Sequence, residues 1–235
     1  DWDIAQIQYN YMDTTTQAGT GGLKYAFKKN IAIVIMEPLK GGMLANPPKE
    51  AIEILNDASV KRTPVDWALQ YLWNLPEVSV VLSGMGSMKQ LEENIESASE
   101  SGIGTLSEEE NKTINKLISI YNEKILIPCT ACKYCVPCPA GVNIPEIFAI
   151  INELNLKSNN MMDRISKFIF KRRYKKMVSK KEKIDKKMPN GNAALCINCN
   201  KCMKHCPQGI NISEELKKVH LVMKKNKKIS KVFNN

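Results

Sequence analysis

Eight cysteines set the chemistry open to this 235-residue chain, and all eight fall in two short runs. The first, CTACKYCVPCP, places Cys129, Cys132, Cys135 and Cys138 ahead of Pro139. The second, CINCNKCMKHCP, places Cys196, Cys199, Cys202 and Cys206 ahead of Pro207. The second run has the C-x2-C-x2-C-x3-C-P spacing of a bacterial [4Fe–4S] motif. Three cysteines two residues apart can wrap three corners of one cubane, because the turn aims their sulfurs to one side. The fourth lies past the turn and reaches the other cluster, and the proline after it leads the chain away. The spacing predicts two [4Fe–4S] clusters with crossed ligation, Cys129, Cys132 and Cys135 with Cys206, and Cys196, Cys199 and Cys202 with Cys138. Only Val136-Pro137 separates the third and fourth cysteines of the first run, so the pattern constrains Cys138 least.

Two other chemistries compete for these thiols. A disulfide framework needs an oxidising compartment, and four cysteines within residues 129–138 give poor bridging geometry. Zinc sites usually pair two C-x2-C arms, and a third cysteine at the same spacing suits a cubane better. His205, beside Cys206, reads as an exposed neighbour rather than a ligand, since four cysteines are already present. His220 falls in a helical pattern with no evident partner.

The elements that must position these residues divide in two. Residues 1–126 hold 11 Lys and Arg against 17 Asp and Glu, a net of −6, whereas residues 127–235 hold 23 against 7, a net of +16. A swing of that size marks a boundary near Ile127-Pro128. The first module alternates strand and helix patterns. Ile4–Gln8, Ile31–Met36 and Val78–Leu82 read as strands, the last two as continuous apolar runs expected to be buried on both faces. Residues 22–29, 49–58, 64–73 and 88–97 read as helices, Pro64 at the first helical position of its own. A fifth runs from Ser107 to about Glu123, opened by a Ser107/Glu110 capping box. Ser83–Ser87 (SGMGS) reads as a tight turn. This order is that of a parallel α/β sheet, and three strands alone leave open edges that predict aggregation or pairing with another chain. The second module is short-looped and helical, at Ile144–Leu156 and Ser213–Met223. Between the cysteine runs, Arg164–Lys187 carries 12 Lys and Arg against two acids and reads as a basic helix with an apolar face of Phe168, Ile169, Phe170, Tyr174 and Met177.

No run of 18 apolar residues exists, which excludes a standard membrane-spanning helix. The opening DWDIAQIQYN has no basic segment followed by an apolar one, so no signal peptide is read there and cytoplasm is the expected compartment. The absence of an initiator Met points to a chain cut from a longer one, or to a processed or incomplete reading frame.

Several segments carry a family resemblance. DIAQIQYNYMD, IMEPLKGGML and VSVVLSGMGSMKQLEENI resemble the sixth, seventh and eighth barrel strands of the ferredoxin-type aldo/keto reductases, with their loops and last helix. IPCTACKYCVPCPAGVNIP and CINCNKCMKHCPQGINI resemble the cluster segments of the same family. The resemblance implies an α/β fold: a partial (β/α)8 TIM barrel of the last three strands and helices over 1–126, then an α-helical dicluster ferredoxin-like domain over 127–235. It also implies that Gln6, Glu37, Pro38, Leu39, Gly41, Gly84, Met85, Gly86, Gln90, Glu93 and Asn94 line an NAD(P)H site in the complete barrel. Barrel sites do use the C-terminal strand ends, and phosphates the loops after strands seven and eight. For Gly41, Gly42, Gly84 and Gly86, plain turn chemistry is the rival reading. The family's Asp, Tyr, Lys and His tetrad belongs to the first barrel half. The only histidines here are His205 and His220, so no catalytic residue is named and the chain's own activity stays open.

Three functions follow. The first is the C-terminal portion of an iron–sulfur oxidoreductase, with the N-terminal barrel half as its missing partner. The second is a stand-alone electron carrier or redox adaptor. The third, less favoured, is a metal-containing binder of nucleic acid through its basic run. That run equally suits an acidic ferredoxin or flavodoxin-like redox partner.

Overall fold

The computed structural model describes residues 2–156, 163–178 and 189–233, with backbone alone at 163–166. The chain forms two compact units, Asp1–Tyr121 and Asn122–Asn235.

In the first unit, β1 (Ile4–Gln8), α1 (Gly19–Lys28), β2 (Ala32–Met36), α2 (Lys49–Asp57), α3 (Pro64–Trp73), β3 (Val80–Val81), α4 (Met88–Ser99) and α5 (Glu108–Lys124) follow in order. The strands make one parallel sheet in the order β1-β2-β3, with Gln6 opposite Val34 and Val34 opposite Val80. Local signals start the helices where expected. Thr63 Oγ1 accepts the Asp66 N–H at 3.1 Å, with Pro64 opening α3. Ser107 Oγ accepts the Glu110 N–H at 3.2 Å, and Glu110 Oε2 accepts the Ser107 N–H at 2.8 Å, which completes the capping box. Burial raises the Glu110 carboxyl, but the Arg62 guanidinium and the Ser107 donors outweigh it and hold it below its usual range.

Two strand expectations need correction. Ile33 and Ile35 are buried and pack with Ala5, Ile7, Tyr9, Leu23, Ala26 and Leu72, but Ala32, Val34 and Met36 are only half-buried. The third strand shrinks to Val80–Val81, with Val80 49% and Leu82 42% exposed. Helices cover one face of the sheet, and the face bearing Ile4, Gln6 and Val80 stays accessible to solvent among the described residues. A continuous apolar run shows that a strand tolerates burial on both sides. It does not supply the second cover.

In the second unit, α6 (Ile144–Leu156) is the core helix, with Ile144, Ile147, Phe148, Ile150, Ile151 and Leu154 all buried. Phe170 and Tyr174 of α7 (Asp163–Lys176) and Leu216, Val219, Val222 and Met223 of α9 (Ile212–Met223) join the same core. The short α8 (Lys201–Lys204) and α10 (Ser230–Phe233) complete it. The apolar face expected on the basic run is only partly used, because Phe168 and Ile169 are 64% and 55% exposed. Arg173 bridges Glu146 at 2.6 Å and Glu153 at 3.1 Å on α6, so part of the basic charge holds the fold. Residues 179–187 of that run lie outside the described residues. Among the described residues, no helix is long and apolar enough to cross a membrane.

Candidate metal centres

The two cysteine loops are built alike. Ala131 and Lys133, around Cys132, have φ of +56° and +66°, and Asn198 and Asn200, around Cys199, have +53° and +56°. Left-handed residues at alternate positions turn successive backbone N–H groups to the inside of a loop, which makes an anion-binding nest. Non-glycine residues adopt that conformation at a cost, and here they do so at matching positions of both loops. The Ala131 N–H points at Cys129 Sγ, 3.4 Å away. The match continues past the fourth cysteine of each run. Gly141 and Gly209 are both left-handed, and their N–H groups bond the Cys138 and Cys206 carbonyls at 2.8 and 3.2 Å. Asn143 and Asn211 then cap α6 and α9 through the Glu146 and Glu214 N–H groups, each at 3.4 Å. CPAGVNI and CPQGINI are therefore one structural repeat. The repeats differ by one residue in the spacer, where Val136-Pro137 is a cis peptide.

Backbone pairing holds the loops. Gly191, leading into the second loop, donates to Gly141 O at 2.9 Å and accepts from the Asn143 N–H at 2.9 Å. A β carbon at Gly191 would stand 2.6 Å from Gly141 O and 2.6 Å from Leu195 Cδ1, so only glycine fits. Cys129, Cys135, Cys138, Cys196, Cys202 and Cys206 pack partly buried against the core, whereas Cys132 and Cys199, the middle ligand positions, are exposed.

Cys129, Cys132, Cys135 and Cys206 line one cavity, with Thr130, Lys133, Ile144, Pro145, Phe148 and Gln208. Burial, then the Cys129 thiol, and more weakly Cys132 and Cys202, push the Cys135 thiol up to about 12. Burial, then Cys138, Cys196 and Cys199, likewise raise Cys202. Cys206 thus lines the cavity of the first loop, while Cys138 acts on Cys202 much as Cys202 acts on Cys135. No disulfide joins these cysteines. Among the described residues, no three His, Cys, Asp or Glu side chains converge on a point that a single metal ion could occupy. Two buried polar atoms of the first cavity, Thr130 Oγ1 and Gln208 Nε2, have no hydrogen-bond partner among the described residues. His205 is exposed. His220 has the partner its sequence did not reveal, the Tyr174 hydroxyl, 2.9 Å from Nδ1.

The residues expected at a dinucleotide site lie at and beyond the strand ends. Gln6 is exposed on the open sheet face, and Pro38 is buried. The Glu37 carboxylate accepts the Gly41 N–H. Leu39 N and O positions sit in the same turn, where Leu39 O accepts the Leu44 N–H at 3.1 Å. Gly84 and Met85 are exposed, Gln90 Oε1 accepts the Gly86 N–H at 2.8 Å, Asn94 donates to Ser83 Oγ at 3.0 Å, and Glu93 pairs with Lys89 at 3.6 Å. Gly41 and Gly42 are left-handed, with φ of +64° and +83°, but Gly84 and Gly86 are not. A side chain would fit at Gly84 with nothing within 4 Å, so SGMGS is not a turn that demands glycine.

Sequence reading passed over a buried polar network beside this loop. Lys40 and Asp13 form an ion pair whose side chains are 2% and 3% exposed. Asp13 also accepts from Gln8 Nε2 at 2.8 Å and Asn10 Nδ2 at 3.0 Å, and Asn10 donates to Glu37 O at 2.9 Å. Lys40 adjoins the Gly-Gly pair, the one signal that marked it.

Residues 128–212 match the 4Fe-4S dicluster domain. The aldo-keto reductase AKR11C1 from Bacillus halodurans (holo form) is similar over 48% of this chain and 42% of its own, at 21% identity and a TM-score of 0.39. The chain thus spans less than half the length of that relative. No curated protein matches the chain. Residues 1–119, half of the sequence, match the aldo/keto reductase family, and the chain belongs to that family, with a 4Fe-4S dicluster domain following.

Proposed function

We propose that the second unit holds two [4Fe–4S] clusters, one on Cys129, Cys132, Cys135 and Cys206, the other on Cys196, Cys199, Cys202 and Cys138. The observation that carries this reading is the repeated loop, with left-handed residues at equivalent positions and Cys206 lining the cavity of Cys129, Cys132 and Cys135. Such clusters take up and release single electrons when bound. The loops' inward N–H groups favour the negative charge of thiolates and sulfides. Cys135 and Cys202, held protonated in the metal-free chain, release protons on loading. A point zinc site needs four ligands about 2.0–2.3 Å from one centre, whereas a cubane spreads its thiolates over four irons.

The first unit is proposed as the last three strand–helix repeats of a (β/α)8 barrel within an iron–sulfur oxidoreductase. The family match and the parallel sheet support this reading. Glu37, Pro38, Leu39, Gly41, Gly84, Met85, Gly86, Gln90, Glu93 and Asn94, with Gln6, would contribute part of an NAD(P)H site in a complete barrel. A phosphate at the Gly86 N–H must first displace the Gln90 amide. Hydride chemistry is assigned to no residue of this chain. For the clusters, an acidic one-electron carrier protein suits a module of net charge +16, and Tyr134, Lys201 and His205 wall a groove of about 510 Å³ that reaches Cys135 and Cys202.

Anaerobic purification tests the reading. The expected protein is brown, absorbs broadly near ~400 nm, and carries about eight iron and eight sulfide per chain. Colourless protein with about two zinc per chain overturns it.

A further inference from the structure

The two centres are built on one repeat, yet their polar surroundings differ. Buried hydrogen-bond donors nearly always find partners, and each exception calls for an explanation. Thr130 Oγ1 and Gln208 Nε2 are two such exceptions, and both line the cavity of Cys129, Cys132, Cys135 and Cys206. They come from different segments. Thr130 follows Cys129 in the first loop, and Gln208 follows Cys206-Pro207 in the second repeat. Lys133 lines the same cavity. At the equivalent positions of the other centre stand Ile197, after Cys196, and Ala140, after Cys138-Pro139. Ile197 is 53% exposed and Ala140 is buried, and neither side chain can donate a hydrogen bond. The second loop has Asn200 where the first has Lys133. Beside a second-loop sulfur stands Asn198, whose Oδ1 accepts from the Cys196 thiol at 3.9 Å.

We propose that Thr130 and Gln208 donate hydrogen bonds to sulfur at the centre held by Cys129, Cys132, Cys135 and Cys206, and so set its reduction potential above that of the second centre. The inference rests on the crossed ligation proposed above. Reduction adds negative charge to the sulfur-rich centre. A donor aimed at that sulfur stabilises the reduced form more than the oxidised one, and the potential rises. The Lys133 charge acts in the same direction. The second centre, with Ile197 and Ala140 in these places, lacks both donors. The two side chains are tuning residues and touch no substrate.

The test is an anaerobic, EPR-monitored redox titration of the full chain, with iron and sulfide counted on every sample. Two separate one-electron waves are expected for the native sequence. Thr130→Val and Gln208→Met each remove a donor at nearly constant volume, and both should lower the higher wave and leave the lower one in place. Each should make reduction of that centre about threefold to tenfold less favourable, where tenfold corresponds to 59 mV for one electron. Thr130→Ser, which keeps the hydroxyl, should titrate like the native chain, and Thr130→Ala carries the same expectation as the valine variant should valine hinder loading. If the ligation is not crossed, Thr130→Val and Gln208→Met move different waves, which overturns the ligand assignment. Unmoved waves in fully loaded variants overturn the tuning role alone. A native chain without iron overturns the reading beneath both.

Discussion

The Tyr174 hydroxyl on α7 lies 2.9 Å from Nδ1 of His220 on α9, and it also accepts the Ala193 N–H at 3.3 Å. The phenol oxygen keeps a second lone pair besides its proton, so it pairs with Nδ1 in either tautomer of the ring. Burial, then Lys225 and Lys224, lower the affinity of His220 for a second proton. One phenol thus ties two core helices to the 3₁₀ turn Ala193–Leu195, which ends just before Cys196.

This bond carries a pH signature. The folded state holds His220 below its ordinary 6.5, so the unfolded chain binds more protons as pH falls through that value. Stability from this site is complete above ~6.5, falls with decreasing pH, and levels off below the folded value. Tyr174→Phe leaves the Ala193 N–H unpaired in the core and should cost about 1–3 kcal/mol at pH 7.5. His220→Gln should flatten the acid limb between pH 7.5 and 5.5. Urea unfolding followed by far-UV circular dichroism reads both effects.

Crossed ligation is separable from uncrossed by two quadruple serine variants. Replacing Cys129, Cys132, Cys135 and Cys206 removes one proposed centre whole and leaves the other complete. About four iron per chain should remain, with a [4Fe–4S] spectrum. Replacing Cys129, Cys132, Cys135 and Cys138 leaves Cys206 behind but takes the fourth ligand from the second centre. Iron should fall well below four, or the remaining centre should bleach rapidly in air. Equal iron in the two variants would argue against crossing.

What was legible in the sequence was mostly local. The Ser107/Glu110 box and Pro64 at the start of α3 depend on residues three apart, and both formed as read. The cysteine spacing encodes a loop, and the loops match. Burial of Val34 and Val80 depends on whatever covers the open sheet face, which no apolar run reveals. The Lys40–Asp13 pair joins residues 27 apart and the Tyr174–His220 bond residues 46 apart, distances at which periodicity is silent. Glycine was over-read at Gly84 and Gly86, where the backbone is ordinary, and under-read at Gly191, where the need is close packing rather than a left-handed turn.

The Lys40–Asp13 pair should be unforgiving of single changes. Lys40→Met strands a buried carboxylate and should destabilise the first unit by about 3–5 kcal/mol. Asp13→Asn added to it removes that charge and should recover part of the loss, because the amide oxygen can still accept from Gln8 and Asn10. Trp2, Trp67 and Trp73 all lie in the first unit, so tryptophan fluorescence in a denaturant titration follows this unit alone.

Gly191 gives the sharpest test of how backbone packing supports the centres. It pairs by β-bridge with Val142, just past the first loop, and with Val178, just past α7. An added β carbon meets a backbone oxygen, Gly141 O, which cannot rotate away as a side chain could. Gly191→Ala should therefore destabilise the second unit by about 1–3 kcal/mol. Because the displaced strand leads into Cys196 while Gly141 follows Cys138, iron retention should suffer at both centres rather than one. Gly84→Ala is the matched control, since its backbone is ordinary and its surroundings open. It should leave iron content unchanged and shift first-unit stability by under ~1 kcal/mol, upward if at all. Iron counted per chain and unfolding midpoints measured on the two variants side by side decide the matter. Full iron retention in Gly191→Ala would mean that the loops hold their clusters without this backbone tie.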